Sequence, residues 1–178
     1  MRMLETRSLD IRAGDRPLIS GLNWQVRQGE FWCVLGRNGA GKSMLLHALS
    51  GLTSSHAGSV LIDGRAIDEI PLPELARLRG LMPQQVIDSF SYAVGDAVTI
   101  ARTPWRFGDE WDSDEEARLV RDALERVSML DRIADGITRL SGGERQRVAF
   151  AAMPAQDPAL MLFDEPTSHQ DVAQQLLL

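Results

Sequence analysis

Residues 36–43 read Gly-Arg-Asn-Gly-Ala-Gly-Lys-Ser, which fits the spacing G-x-x-x-x-G-K-[ST]. This octapeptide constrains the fold more than any other stretch, because its spelling reads as a turn between a strand and a helix. Gly36, Gly39 and Gly41 carry no Cβ, so the backbone can curl and aim its N–H groups at an anion, with Arg37, Asn38 and Ala40 completing the loop. Lys42 is a cation placed to reach the outer phosphates of ATP or GTP, and Ser43 offers a hydroxyl to Mg²⁺. The preceding Phe31-Trp32-Cys33-Val34-Leu35 predicts a buried strand. The following Met44-Leu45-Leu46-His47-Ala48-Leu49 predicts a helix over 42–50, its positive end facing the phosphates. The implied ligand is a nucleoside triphosphate with Mg²⁺.

Composition narrows the setting. At 178 residues the chain can bury a good core as one domain, and its 25% charged residues are ordinary for a globular protein. A net charge of −6 argues against a general nucleic-acid surface. Cys33 is the one cysteine, so no internal disulfide forms, and its place in the predicted strand makes it a small buried thiol. No run approaches the ~18 apolar residues of a membrane span, and no signal-peptide pattern opens the chain. A cytoplasmic protein that meets a membrane only through a partner is expected.

Along the chain, residues 3–9 and 22–27 predict strands of an antiparallel sheet joined through a turn at Gly14-Asp15-Arg16-Pro17. Residues 59–64 predict a strand ending in a turn, and 72–78 a short helix. The middle third, 84–140, reads as a helical insert. Glu116, Leu119, Val120, Ala123, Leu124 and Val127 form its apolar stripe, and Ser113 followed by Glu116 has capping-box spacing. Residues 142–153 predict another helix, with Pro154 at or beyond its end. Residues 159–163 predict a strand buried on both faces, and a last helix begins near Asp171.

That last strand delivers Asp164 and Glu165 at its carboxyl end, where open α/β sheets place ligand groups. One acid there suits Mg²⁺ and the next suits orientation or deprotonation of an attacking water. Upstream, Leu140-Ser141-Gly142-Gly143-Glu144-Arg145-Gln146 sets a serine before paired glycines at a helix start, where backbone N–H groups approach an anion closely.

With these motifs in this order, the chain resembles the ATP-binding cassette family, the ATPase subunits of ABC transporters, from residue 3 to the end. The resemblance implies an α/β P-loop core with a parallel sheet, an N-terminal antiparallel β subdomain and a helical insert. It divides the single domain into 1–83, 84–140 and 141–178. Residues 36–43 match Walker A, Gln84 (with Gln85 the adjacent alternative) the Q-loop glutamine, 140–146 the signature, and 160–165 Walker B. It implies Glu165 as catalytic base, assisted by Gln84, and Ser43, Gln84 and Asp164 as ligands of Mg²⁺. Ser168-His169-Gln170-Asp171 falls at the D-loop. Phosphoryl transfer to water follows, achieved mainly by positioning and charge stabilisation. Two cassettes stack head to tail, so Ser141, Gly142 and Gly143 touch ATP held by the Lys42 of a second subunit, a homodimer being expected. Transmembrane permease subunits, and through them a substrate-binding protein, complete the assembly, with no nucleic acid.

Departures from the pattern carry their own expectations. The switch histidine and the last core strands of the family lie beyond position 178, and His169 sits too near Glu165 to replace that histidine. Low stability of the isolated chain is therefore expected. The stretch Ile11-Arg12-Ala13-Gly14 has no aromatic to stack on adenine, leaving relaxed base selectivity or stacking by Arg12. Phe90, Tyr92, Trp105, Phe107 and Trp111 either form a groove for a permease helix or pack the insert internally. The wording around 88–94 and 166–169 is most similar to importers of iron-siderophores, haem or cobalamin. The alternative function is a truncated or degenerate cassette that binds ATP and dimerises with little turnover.

Overall fold

The computed structural model describes residues 2–85, 90–105 and 114–166, so Phe107, Trp111, Ser113, the stretch 168–171 and the helix expected from Asp171 lie outside the described residues. It divides into two compact units, Met1–Leu81 and Met82–Leu178.

In the first unit, β1 (Arg2–Ala13) and β2 (Arg16–Arg27) form an antiparallel hairpin through the turn at Gly14-Asp15, and β1 pairs on its other edge with β3 (Ala57–Ile62). The short β4 (Arg65–Ala66) completes the sheet order β2-β1-β3-β4. Strand β1 shows why this pairing holds. Leu4 and Thr6 are buried, then Leu9 and Ile11, so the inward phase slips by one residue. The slip occurs at Ser8, whose φ of 45° marks a bulge between Thr6 and Leu9. Thr6 Oγ1 donates to Leu22 O at 3.0 Å and accepts from Trp24 N at 3.0 Å, satisfying the buried hydroxyl. Helix α1 (Lys42–Ser50) buries Leu45, Ala48 and Leu49, and α2 (Leu72–Leu78) buries Leu75.

Two expectations fail in this unit. Residues 31–35 are not a strand, and no described segment pairs with them. Phe31 is 87% and Leu35 90% exposed, and the Cys33 thiol is exposed rather than buried. An apolar run becomes a buried strand only when neighbouring strands take its backbone groups. Trp32 instead meets Trp24 edge-on at 5.5 Å and donates Nε1–H to Glu30 Oε2 at 3.0 Å.

In the second unit, β5 (Arg79–Met82) ends at its first residue, and β6 (Leu160–Phe163) forms a two-stranded parallel sheet with β5. The Asp164 N–H donates to Met82 O at 3.0 Å, fixing the carboxyl end of that pair. Strand β6 alternates: Leu160 and Leu162 are buried but Met161 is exposed, so one face lacks the expected cover among the described residues. Helices α3 (Val94–Ala101), α4 (Asp114–Arg126) and α5 (Gly142–Gln156) share one core of Val94, Val98, Val120, Leu124, Val148 and Ala151. The α4 stripe is as expected at Val120, Ala123, Leu124 and Val127, but Leu119 is exposed. Glu116 leaves the stripe to pair with Arg102 at 3.3 Å.

Helix α5 runs through Pro154 to Gln156, three residues past the expected stop at 153. A proline removes one helical N–H, a small loss in a last turn whose carbonyls find other donors. Here Arg102 Nη1 donates to Ala155 O at 3.0 Å and Trp105 Nε1 to Gln156 O at 2.5 Å. Arg102→Ala removes both the carbonyl donor and the Glu116 partner, so the urea midpoint should fall by an amount equivalent to roughly 2 kcal/mol. An unchanged midpoint would show that α5 closes without it.

Candidate functional site

The site groups fall in both units. In the first, Gly36, Arg37, Asn38, Gly39 and Ala40 are exposed, and Ala40 N donates to Arg37 O at 3.1 Å to close the turn. Gly41 ends the loop at φ 97°, and a Cβ there would lie 3.1 Å from Leu18 Cβ, so glycine suits this position on two counts. Lys42 curls back, its Nζ donating to Gly36 O at 3.1 Å and Arg37 O at 3.4 Å. Helix α1 then starts with no side-chain cap and no acid in its first turn. A curled loop, an ammonium beside it and a helix start without acids are the kinds of group a phosphate cradle is built from.

The second unit holds the carboxylates. Gln84 follows β5 and Glu165 follows β6, and Gln84 Nε2 donates to Glu165 Oε2 at 2.8 Å. Beside Glu165, Asp164 is 3% exposed and forms no ion pair among the described residues. A carboxylate out of water calls for a cation. The amide of Gln84 spends its nitrogen on Glu165, leaving its oxygen outside that bond. Hard oxygen donors of this kind fit Mg²⁺. Ser43, the third expected ligand, stands at the start of α1 in the first unit. No cluster of three His, Cys, Asp or Glu residues capable of holding a metal occurs among the described residues.

Ser141 caps α5, with Gly142 and Gly143 in its first turn. Sequence reasoning missed what occupies this cap. Ser141 N–H and Oγ–H both donate to Glu144 Oε2, at 2.7 and 2.8 Å, and Glu144 N–H returns a bond to Ser141 Oγ at 3.3 Å. Arg132 Nη1 donates to Glu144 Oε1 at 3.1 Å and also pairs with Asp135. The signal was present, since Ser141-x-x-Glu144 has the spacing of a capping box. Gln146, buried two residues beyond Glu144, was likewise missed; it donates Nε2–H to Glu165 O at 3.4 Å.

A model described as "ABC transporter" matches residues 19–168. The chain belongs to the ABC transporter family. A hemin import ATP-binding protein of Streptomyces coelicolor is 41% identical over 96% of this chain and 60% of its own length. An iron(3+)-hydroxamate import ATP-binding protein of Bacillus subtilis is 36% identical over 99% of this chain and 65% of its own. The chain thus spans a little under two thirds of these relatives. Among solved structures, an inward-facing metal-chelate type ABC transporter matches with a TM-score of 0.80 at 27% identity, covering 99% of this chain and 64% of that one. Among the described residues of this ABC family member, no helix is long and apolar enough to cross a membrane.

The Ser141 donors, first the N–H and then the hydroxyl, hold the Glu144 carboxyl below its ordinary 4.5, with Arg132 and Arg147 adding smaller pulls. A carboxyl lowered in the folded state stabilises above its unfolded value and loses that contribution as pH falls through the folded one. The Glu144 carboxyl-carbon NMR titration should therefore centre below 4.5, and Ser141→Ala should move it part of the way back. A midpoint at or above 4.5 in the unmodified chain would contradict the capping geometry.

Proposed function

We propose that the chain is the ATP-binding and ATP-hydrolysing part of an ABC importer for a metal chelate: an iron-siderophore, haem or cobalamin. The observation that carries this reading is the 2.8 Å bond between Gln84 and Glu165 beside the buried Asp164. It supports Glu165 as the base that orients a water and accepts its proton while Gln84 fixes the carboxylate's direction. The loop 36–43 binds the triphosphate, with Lys42 on the outer phosphates. Ser43, Gln84 and Asp164 would hold Mg²⁺, which when bound offsets charge on the phosphate oxygens.

The family's head-to-tail arrangement, applied here, makes the working unit a homodimer in which Ser141, Gly142 and Gly143 close over the nucleotide of the other chain. Ser141 must then exchange Glu144 for a phosphate oxygen. Phe90, 72% exposed, with Tyr92 at 5.7 Å and Trp105 on the insert, suits an amphipathic helix of a permease. The protein would sit on the cytoplasmic face of the membrane, meeting a substrate-binding protein only indirectly. The cargo assignment draws on relatives whose names specify hemin and iron(3+)-hydroxamate import.

Glu165→Gln should lower ATP turnover on the order of 10²–10⁴-fold while leaving ATP affinity intact. Lys42→Ala should weaken ATP binding roughly 10–100-fold, as loss of a charge-assisted contact does. Phosphate release and equilibrium binding of a fluorescent ATP analogue measure the two. ATP binding without turnover in the unmodified chain would favour the non-hydrolysing alternative, and unchanged affinity in Lys42→Ala would refute the cradle.

A further inference from the structure

Gln146 is 4% exposed on α5; in the second unit it and Asp164 are the buried polar side chains among the described residues. A buried amide is kept where its hydrogen bonds fix something. Its Nε2–H reaches Glu165 O at 3.4 Å, and Glu165 holds a left-handed backbone at φ 48°, which a non-glycine residue keeps only when its surroundings enforce it. Two further bonds act on neighbouring atoms. Gln84 holds the Glu165 carboxylate, and Met82 O takes the Asp164 N–H. Gln146 takes the main chain of Glu165 itself.

We infer that Gln146 is a positioning residue for Glu165, tying the helix that starts at Ser141 to the turn that presents the base. Ser141 and Gln146 are about one and a half turns apart on a single helix. A shift of the α5 start by a nucleotide would thus reach the Glu165 turn through the Gln146 side chain. The assignment rests on the proposed ATPase reading for its kinetic consequence, though not for its geometry.

The test uses the full chain with Gln146→Leu, which keeps bulk and loses the donor, and Gln146→Glu, whose ionised group cannot donate. In both, kcat should fall on the order of 10–100-fold, as small misplacements of a catalytic group do, with KM within about twofold. Placed in a Glu165→Gln background, neither should lower turnover further, because the two residues act as a unit. Independently of nucleotide, the Asp164 amide should exchange hydrogen about tenfold faster in Gln146→Leu, with the Val148 and Ala151 amides of α5 unchanged. Unaltered Asp164 exchange, equal acceleration along all of α5, or an unchanged kcat in an active parent would each overturn the inference. If the unmodified chain hydrolyses no ATP, the ATPase reading fails and the exchange experiment alone decides the positioning role.

Discussion

Gln84 and Glu165 are 81 positions apart, yet one hydrogen bond joins their side chains. That bond forms only if β5 and β6 run side by side and end at the same level, and the Asp164 N–H to Met82 O bond fixes that level. Two apolar strands therefore deliver one amide and two carboxylates to a single point at their carboxyl ends, where open α/β sheets gather ligand groups. Without that registration Asp164 would be a surface acid and Glu165 an ordinary turn residue.

Helix α5 does three things along its length. Its start is capped by Ser141 and Glu144, its middle contributes Val148 and Ala151 to the core, and Arg102 and Trp105 close its end beyond Pro154. The start has an electrostatic consequence. Ser141 gives both its donors to a carboxylate of its own chain, and Arg132 supplies the opposing charge. A phosphate arriving there competes with an internal anion already in place, so the helix dipole alone does not describe this end.

Much of the fold was legible because it depends on local pattern. The hairpin, helix 72–78 and helix 42–50 follow from alternation, proline placement and the loop spelling. What escaped depends on partners distant in sequence. Phe31 to Leu35 spells a strand, but burial needs neighbours that local pattern cannot supply, and so Cys33 is exposed. Pro154 reads as a stop, but the helix runs two residues beyond it, and donors from residues 102 and 105 cap its last carbonyls. The loop 36–43 and the acids after strand 159–163 were legible from spacing and strand pattern, whereas the parts given to Gln84 and to residues 140–146 came from the family resemblance. Glu144 carried a visible capping signal, whereas Gln146 carries no local signal of its reach to Glu165.

The proposed function requires that the loop around Lys42 in one chain and the turn at Ser141 in another make one nucleotide site. Mixing chains decides it. Lys42→Ala and Ser141→Arg forms, each also carrying Glu165→Gln, are combined with Mg²⁺ and ATP, and mass is followed by light scattering. Neither form alone should dimerise, while the mixture, which restores one intact composite site, should yield an ATP-dependent dimer. A mixture that stays monomeric, when chains carrying Glu165→Gln alone dimerise, would contradict the claim.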